Sequence, residues 1–183
     1  RIPAGSWDAS ATAKKLNHVL AKEYPEAGDI VKTVMNYQVF FNRDVIKSKQ
    51  LDFDNIKQTV VNVLKEDPSV LYACDMAKAS TESIPEEVKF RIINGYNRER
   101  SGDVVIILKP NFYAHGMKGT DHGAWNSYDT HIPLVFMGWG IKHGATTKQT
   151  FMTDIAPTIA AMLHVQAPNG CVGKAIFGNN ICQ

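Results

Sequence analysis

The sequence predicts an α/β fold in which helices cover a mainly parallel or mixed central sheet. Segments with the apolar spacing of helices alternate along the chain with short apolar segments typical of strands. Residues 103–109 are β-branched and apolar without polar alternation, which is typical of a strand covered on both faces. With 183 residues, 44% of them hydrophobic, the chain is large enough to form such a core.

Four segments carry helix signals, which are apolar residues at helical spacing or residues suited to capping a helix. They are residues 8–24, capped by Asp8 or Ser10; the segment marked by Phe53, Ile56, Val60, Val63 and Leu64 and ended by Pro68; the segment from the capping-box spacing Ser83 to Glu86 as far as about Gly95; and residues 153–164. In the last helix, Pro157 lies in the first turn, and Ile155, Ile159 and Leu163 are expected to face inward.

Extended segments separate these helices. Residues 34–41 are predicted to be extended, with Val45 and Ile46 pairing back on them, and residues 70–74 form a short strand. Residues 132–137 form a second apolar run and are predicted to form another buried strand, in which Pro133 is tolerable because it lies near the start. We expect Cys74 to be a buried small hydrophobe.

Charge and composition exclude several classes of protein. Twenty basic and eighteen acidic residues leave a formal net charge of +2, and the basic residues are scattered rather than concentrated on one face, which argues against nucleic-acid binding. The apolar runs are far too short to span a membrane. Because the chain opens Arg1-Ile2-Pro3, we expect either a removed signal or an internal piece of a longer protein.

A long connection between the two predicted buried strands, residues 110–130, is the most informative part of the chain. It is rich in glycine, has no helical period, and leaves the end of a buried strand, where α/β sheets collect ligands. Here or at its end lie the polar residues His115, Asp121, His122, Asp129 and His131. Motifs for a serine hydrolase elbow, a phosphate-binding loop and a His-Glu-x-x-His zinc site are all lacking.

The residues alone leave the role of His122 open between a hydrogen-bonded turn residue and a metal ligand. It stands in Gly119-Thr120-Asp121-His122-Gly123, where the last glycine allows close approach of the backbone. One histidine is not a zinc site, because zinc takes three or four protein donors. Asp129 is interpreted as part of a turn before a strand, and His131 as a residue at the strand start.

Several motifs together resemble the C-terminal part of the alkaline phosphatase superfamily, and most of all its bacterial type I phosphodiesterase/nucleotide pyrophosphatase branch. The motifs are Gly119-Thr120-Asp121-His122-Gly123; Tyr128-Asp129-Thr130-His131-Ile132-Pro133-Leu134; Phe136-Met137-Gly138-Trp139-Gly140-Ile141; Arg100-Ser101-Gly102-Asp103-Val104; and Thr153-Asp154-Ile155-Ala156-Pro157-Thr158. They cover the second half of the chain strongly, and the first half resembles the branch more weakly.

This resemblance implies a two-zinc phosphoric-ester hydrolase with a Thr or Ser nucleophile that forms a phosphoryl-enzyme intermediate. It implies that His122 is a zinc ligand, whereas Asp121 and His131 match no ligand position. The nucleophile and the other ligands of the family precede the region represented here, and no histidine of this chain has an Asp four residues upstream. We therefore expect residues 1–183 to be one C-terminal segment of a larger catalytic domain, with no nucleophile of its own and inactive alone.

Within that segment, residues 1–100 are expected to form a helix-rich, cap-like part, and residues 101–183 the core strands, metal loop and last helix. The resemblance also implies a phosphate mono- or diester substrate and a periplasmic or secreted location. In such an oxidising compartment Cys171 and Cys182, which bracket a short flexible tail, would form a disulfide. The rival interpretation is a non-catalytic binding or oligomerisation module on the same scaffold. A sulfatase or phosphoglycerate mutase relative is the alternative among enzymes, although the Asp-His-Gly context disfavours it.

Overall fold

The computed structural model describes residues 3–114, 122–138 and 140–177, and it divides into two compact units, Arg1–Ile132 and Pro133–Gln183. The helices are α1 (Ala9–Glu23), α2 (Arg43–Ser48), α3 (Phe53–Lys65), α4 (Glu86–Gly95), α5 (Ser127–Thr130) and α6 (Ile155–Met162). The strands are β1 (Gly5–Ser6), β2 (Val31–Met35), β3 (Gln38–Phe41), β4 (Val70–Asp75), β5 (Val104–Leu108) and β6 (Phe112–Tyr113). No described helix has both the length and the apolar character needed to cross a membrane.

The first unit contains strand pairs of both senses, and the α/β class with a mixed arrangement is confirmed. Four strands form a sheet in the order β2-β3-β5-β4, in which every neighbouring pair is antiparallel. A separate pair, β1 and β6, is parallel. A two-residue turn joins β2 to β3, and its residues Asn36 and Tyr37 have φ of 50° and 58°, as a tight hairpin turn requires.

Strand β5 is buried along its whole length, as its sequence predicts. Val104, Ile106 and Leu108 belong to the larger core, together with buried residues of α1 and α3. Val105 and Ile107 point to the opposite face and pack in a smaller core with residues of α4 and of the 3₁₀ turn that follows β4. The prediction of a strand covered on both faces is therefore confirmed.

Helices α1 and α3 begin where capping residues stand. The Asp8 carboxylate accepts from Ala11 N at 2.9 Å, and the Asp52 carboxylate accepts from Asn55 N at 3.1 Å. The predicted helix at residues 8–24 is confirmed with Asp8 as its cap, and so is the helix marked by Phe53 to Leu64. Strand β4 also lies where it was expected, with a fully buried Cys74.

Two predictions in the first unit are wrong. Val45 and Ile46 do not pair back as a strand but lie in α2, because the Asn42 side chain accepts from Val45 N and begins a helix there. Helix α4 forms as predicted, but its N-cap is Pro85 and no side chain caps it, so the Ser83 capping box is not used.

The second unit differs from expectation in two places. Residues 132–137, which start at its boundary, contain no strand, and Val135 and Met137 are 81% and 94% exposed. Apolar composition makes a strand only where a neighbouring strand supplies hydrogen bonds, and no described strand pairs with this segment. Helix α6 forms within the predicted range, but Ile159 and Leu163 are exposed.

The inward face of α6 is set by the segment that follows it. Thr158 is fully buried, and its Oγ1 accepts from Ile176 N at 3.0 Å and donates to Asp154 O at 2.5 Å. The Asp154 carboxylate accepts from Lys174 N at 2.8 Å. These bonds place residues 174–176 against Thr158, and the buried residues of α6 are Pro157, Thr158 and Ala160 rather than the predicted stripe.

A buried ion pair joins α3 to the end of β4. Lys57 Nζ lies 2.5 Å from Asp75 Oδ2 and 2.9 Å from Asp54 Oδ1, and Lys57 is only 8% exposed. Burial alone would lower the pKa of Lys57, but its hydrogen bonds to Asp75 and Asp54 outweigh that effect, and the pKa is raised. Asp75 Oδ1 also accepts from Ala77 N at 3.0 Å, so one carboxylate fixes both α3 and the 3₁₀ turn.

Candidate metal centre

His122 opens the described part of the loop that leads into α5, and its side chain is 85% exposed. Its Nδ1 lies 2.5 Å from Oδ1 of Asp129. The other carboxylate oxygen of Asp129, Oδ2, accepts from Gly123 N at 2.8 Å and from Ala124 N at 2.7 Å. One carboxylate therefore binds both the imidazole and the backbone that carries it.

The charge of Asp129 suits this role. Its side chain is 11% exposed, in contrast to that of His122. The hydrogen bond with His122 holds the pKa of Asp129 below its usual range, and the backbone N–H groups of Gly123 and Ala124 act in the same direction against the effect of burial. Asp129 is consequently a carboxylate, which can only accept hydrogen bonds.

Helix α5 presents Asp129 to the loop. The backbone N–H groups of Asp129 and Thr130 donate to Asn126 O at 2.9 and 3.0 Å and close the single helical turn. The Tyr128 hydroxyl accepts from Asn111 N at 3.1 Å, which ties α5 to the turn between β5 and β6. The position of Asp129 thus depends on the sheet as well as on its own turn.

Position 123 requires glycine because of its backbone conformation and because the Tyr37 ring lies close to it. Its φ is +131°, and a Cβ there would lie 2.9 Å from Cε2 of Tyr37. Tyr37 in turn stacks on Trp7, with ring centroids 5.8 Å apart, and its hydroxyl accepts from Ala114 N at 3.1 Å. From the sequence, Gly123 is expected to allow close approach of a metal or an anion. In the structure, the group that lies against Gly123 is the Tyr37 ring.

The remaining candidates do not join His122 within the described ranges. His131 follows α5 as its C-cap residue and is exposed, and no described strand begins there, so its predicted place at a strand start is wrong. His115 and Asp121 lie outside the described residues, and so does Cys182, the expected partner of the half-buried free thiol Cys171. The disulfide therefore stays a prediction.

Sequence reasoning missed Asp129 as a partner of His122. The pattern Asp129-Thr130 before an apolar run is equally typical of a turn that precedes a strand. A four-residue helix has no apolar period, so nothing in the sequence indicates that α5 turns this carboxylate back toward His122.

The His122–Asp129 pair fits one part of a metal site. In protein metal sites a ligating histidine commonly donates its second ring N–H to a carboxylate, which fixes the ring and its tautomer. Here the carboxylate contacts Nδ1, so Nε2 is the nitrogen suited to a metal. Within residues 3–114, 122–138 and 140–177, no three His, Cys, Asp or Glu side chains form a cluster that could hold a metal. These residues suit the contribution of one ligand.

Comparison with known proteins identifies the family, although no family model matches the chain. The chain is 48% identical over 177 residues to the alkaline phosphatase PafA of Elizabethkingia meningoseptica, covering 96% of this chain and 32% of that protein. It is 49% identical over 144 residues to the alkaline phosphatase PhoV of Synechococcus elongatus, covering 79% of this chain and 26% of that protein. A calcium-transporting ATPase of Myroides odoratus is 46% identical over 175 residues, with coverages of 94% and 32%.

Comparison with solved structures points to one of the same proteins as the sequence comparison. The crystal structure of wild-type PafA matches 95% of this chain and 33% of that one, with 45% identity and a TM-score of 0.88. A mutant of PafA matches with a TM-score of 0.87. The chain therefore belongs to the alkaline phosphatase superfamily, and it spans about a third of the length of PafA.

Proposed function

We propose that this chain is the C-terminal part of a zinc-dependent phosphoric-ester hydrolase, an alkaline phosphatase or phosphodiesterase of the type I phosphodiesterase/nucleotide pyrophosphatase branch. The proposal rests on the contact between Nδ1 of His122 and the Asp129 carboxylate. Histidines that bind metals commonly have a carboxylate on their second ring nitrogen in this way. Two relatives that match most of this chain are named alkaline phosphatases, which supports phosphate esters as the substrate class.

His122 supplies one ligand to one of two zinc ions in this proposal. The remaining ligands and a Thr or Ser nucleophile belong to the rest of the protein, since the described residues bring no third donor to His122. When bound, paired zinc ions supply positive charge that stabilises the attacking and leaving oxygens of phosphoryl transfer. This chain's own contribution is to bind through Nε2 of His122 while Asp129 retains the proton at Nδ1.

A second candidate activity is hydrolysis of a nucleoside triphosphate, because one relative is named a calcium-transporting ATPase. Phosphate esters and phosphoric anhydrides both lose a phosphoryl group to water, so one site could act on either. The rival class is a module that keeps the scaffold and binds without catalysis. A periplasmic or secreted location is part of the proposal and follows from the family alone.

The test uses the full-length protein that contains this chain. Hydrolysis of p-nitrophenyl phosphate, bis(p-nitrophenyl) phosphate and ATP is measured before chelation, after chelation, and after zinc is restored. We expect ester hydrolysis that disappears with the chelator and returns with zinc, and the ratio of mono- to diester rates then assigns the branch. Zinc binding without hydrolysis of any of the three would favour the binding module. ATP as the sole substrate would favour the ATPase.

A further inference from the structure

We infer that Asp129 is a positioning residue for the metal, which fixes the His122 ring so that Nε2 is the coordinating nitrogen. The inference rests on the proposed role of His122 as a ligand and adds to it the group that orients that ligand. It starts from three contacts made by one carboxylate: Nδ1 of His122 on Oδ1, and the backbone N–H groups of Gly123 and Ala124 on Oδ2.

The contact with Asp129 determines the tautomer of His122. A carboxylate only accepts hydrogen bonds, so Nδ1 of His122 carries the proton that it shares with Asp129. In neutral imidazole the other nitrogen, Nε2, then has the lone pair that a metal needs. The opposite tautomer carries the proton on Nε2 and leaves that nitrogen without a lone pair for a metal.

Asp129 also determines the orientation of the His122 ring. The side chain of His122 is 85% exposed, so the protein core does not immobilise the ring by packing. The side chain of Asp129 is 11% exposed and is held by N–H groups of the two residues that follow His122. Because the carboxylate is anchored to the same backbone as the histidine, it fixes the ring relative to its own loop.

The substitution Asp129→Asn changes the contact with the His122 ring but can keep the contacts that hold the loop. The Asn oxygen at position 129 can still accept from Gly123 N and Ala124 N, while its NH₂ group would face Nδ1 of His122. Since NH₂ is a donor, Nδ1 would have to accept, and the proton would move to Nε2. Asp129→Asn therefore keeps the loop and presents a protonated nitrogen to the metal.

The experiment compares Asp129→Asn with Asp29→Asn, which changes an exposed acid on the loop before β2. In the full-length protein, zinc affinity is measured by chelator competition, and the His122 tautomer by ¹⁵N NMR of the metal-free protein, with His122→Ala identifying the signal. We expect wild type to carry the proton on Nδ1. Asp129→Asn should move it to Nε2 and weaken zinc binding about 10–100-fold, whereas Asp29→Asn should change neither.

The outcomes separate this inference from the proposed function. If His122→Ala loses zinc while Asp129→Asn keeps both affinity and tautomer, the positioning role is overturned and the ligand role stands. If His122→Ala keeps all of its zinc, the ligand role itself fails. Should Asp129→Asn not fold, the wild-type spectrum decides, because a proton on Nε2 of wild-type His122 overturns the inference by itself.

Discussion

Nδ1 of His122 lies 2.5 Å from Oδ1 of Asp129, seven residues further along the chain. The same carboxylate accepts from the backbone N–H groups of Gly123 and Ala124, so the loop is closed on itself around one acid. Tyr37 packs against Gly123 from the hairpin between β2 and β3. The metal-binding proposal therefore depends on residues from widely separated parts of the first unit.

Gly123→Ala should destabilise the protein because Ala is strained at φ +131° and its Cβ would lie 2.9 Å from Tyr37. We expect the free energy of unfolding, measured by urea denaturation, to fall by about 1–3 kcal/mol. Gly144→Ala is the matched control, because nothing lies within 4 Å of a Cβ there and its φ is not in the left-handed region. Equal effects of the two substitutions would contradict the close packing of Tyr37 on this loop.

Lys57→Met should destabilise the first unit strongly, because it leaves the 7%-exposed Asp75 charged without its cation. We expect the free energy of unfolding to fall by about 3–5 kcal/mol. Lys65→Met changes an exposed lysine on the same helix and should have a much smaller effect. A loss at Lys57 no larger than that at Lys65 would mean that the ion pair does not stabilise the fold.

The same ion pair predicts how stability depends on pH at the alkaline end. The folded-state pKa of Lys57 is raised above that of an unfolded lysine, about 10.4. Its contribution is therefore fully present below about pH 10.4 and is lost as the pH rises through the folded-state value. Wild type should lose stability relative to Lys57→Met in that alkaline range when unfolding is measured at successive pH values. Parallel curves for the two proteins would contradict the raised pKa.

Cys74 should be inert toward thiol reagents in the folded protein. It is fully buried, and burial raises the pKa of its thiol to about 12, so almost no thiolate exists at pH 8. A Cys171→Ser, Cys182→Ser double variant retains Cys74 as its sole cysteine. We expect reaction with a disulfide reagent at pH 8 only after denaturation in urea. Fast reaction under native conditions would show that the smaller core opens readily.

The sequence predicts β5 and α3 correctly because most of the apolar residues within each segment are ones that the structure buries. It fails at residues 132–137, where an apolar run satisfies the composition of a strand but has no described strand to pair with. The same limit applies to α2, since Val45 and Ile46 are favourable in strands and it is the side chain of Asn42 that begins a helix there.

For the candidate site, family motifs single out His122 but leave its environment undetermined. Its contact with Asp129 depends on the single turn of α5 and on the bond from Asn111 to Tyr128, which joins residues 17 positions apart. No local sequence pattern predicts the contact between His122 and Asp129. The role of Gly123 is also decided by a distant residue, Tyr37, which the hairpin brings to the loop.

The 183-residue chain alone should hydrolyse no phosphate ester and should hold zinc weakly, because zinc requires three or four donors and the described residues contain no cluster of that size. The assay uses p-nitrophenyl phosphate and its bis ester with excess zinc. Turnover well above buffer that survives His122→Ala would place the active site elsewhere in this chain. Turnover that requires His122 would show that a complete site lies within these residues, contrary to the proposal.

Metal content and rate of the His122→Ala variant of the full-length protein decide whether His122 is a zinc ligand. His131→Ala is the control, because His131 is an exposed neighbour whose backbone N–H, not its side chain, bonds to Ser127. We expect His122→Ala to lower the rate at least about 100-fold and the zinc content with it, and added zinc to restore part of the rate. His131→Ala should keep both. Full metal and full rate in His122→Ala, with both lost in His131→Ala, would show that His131 and not His122 is the metal ligand.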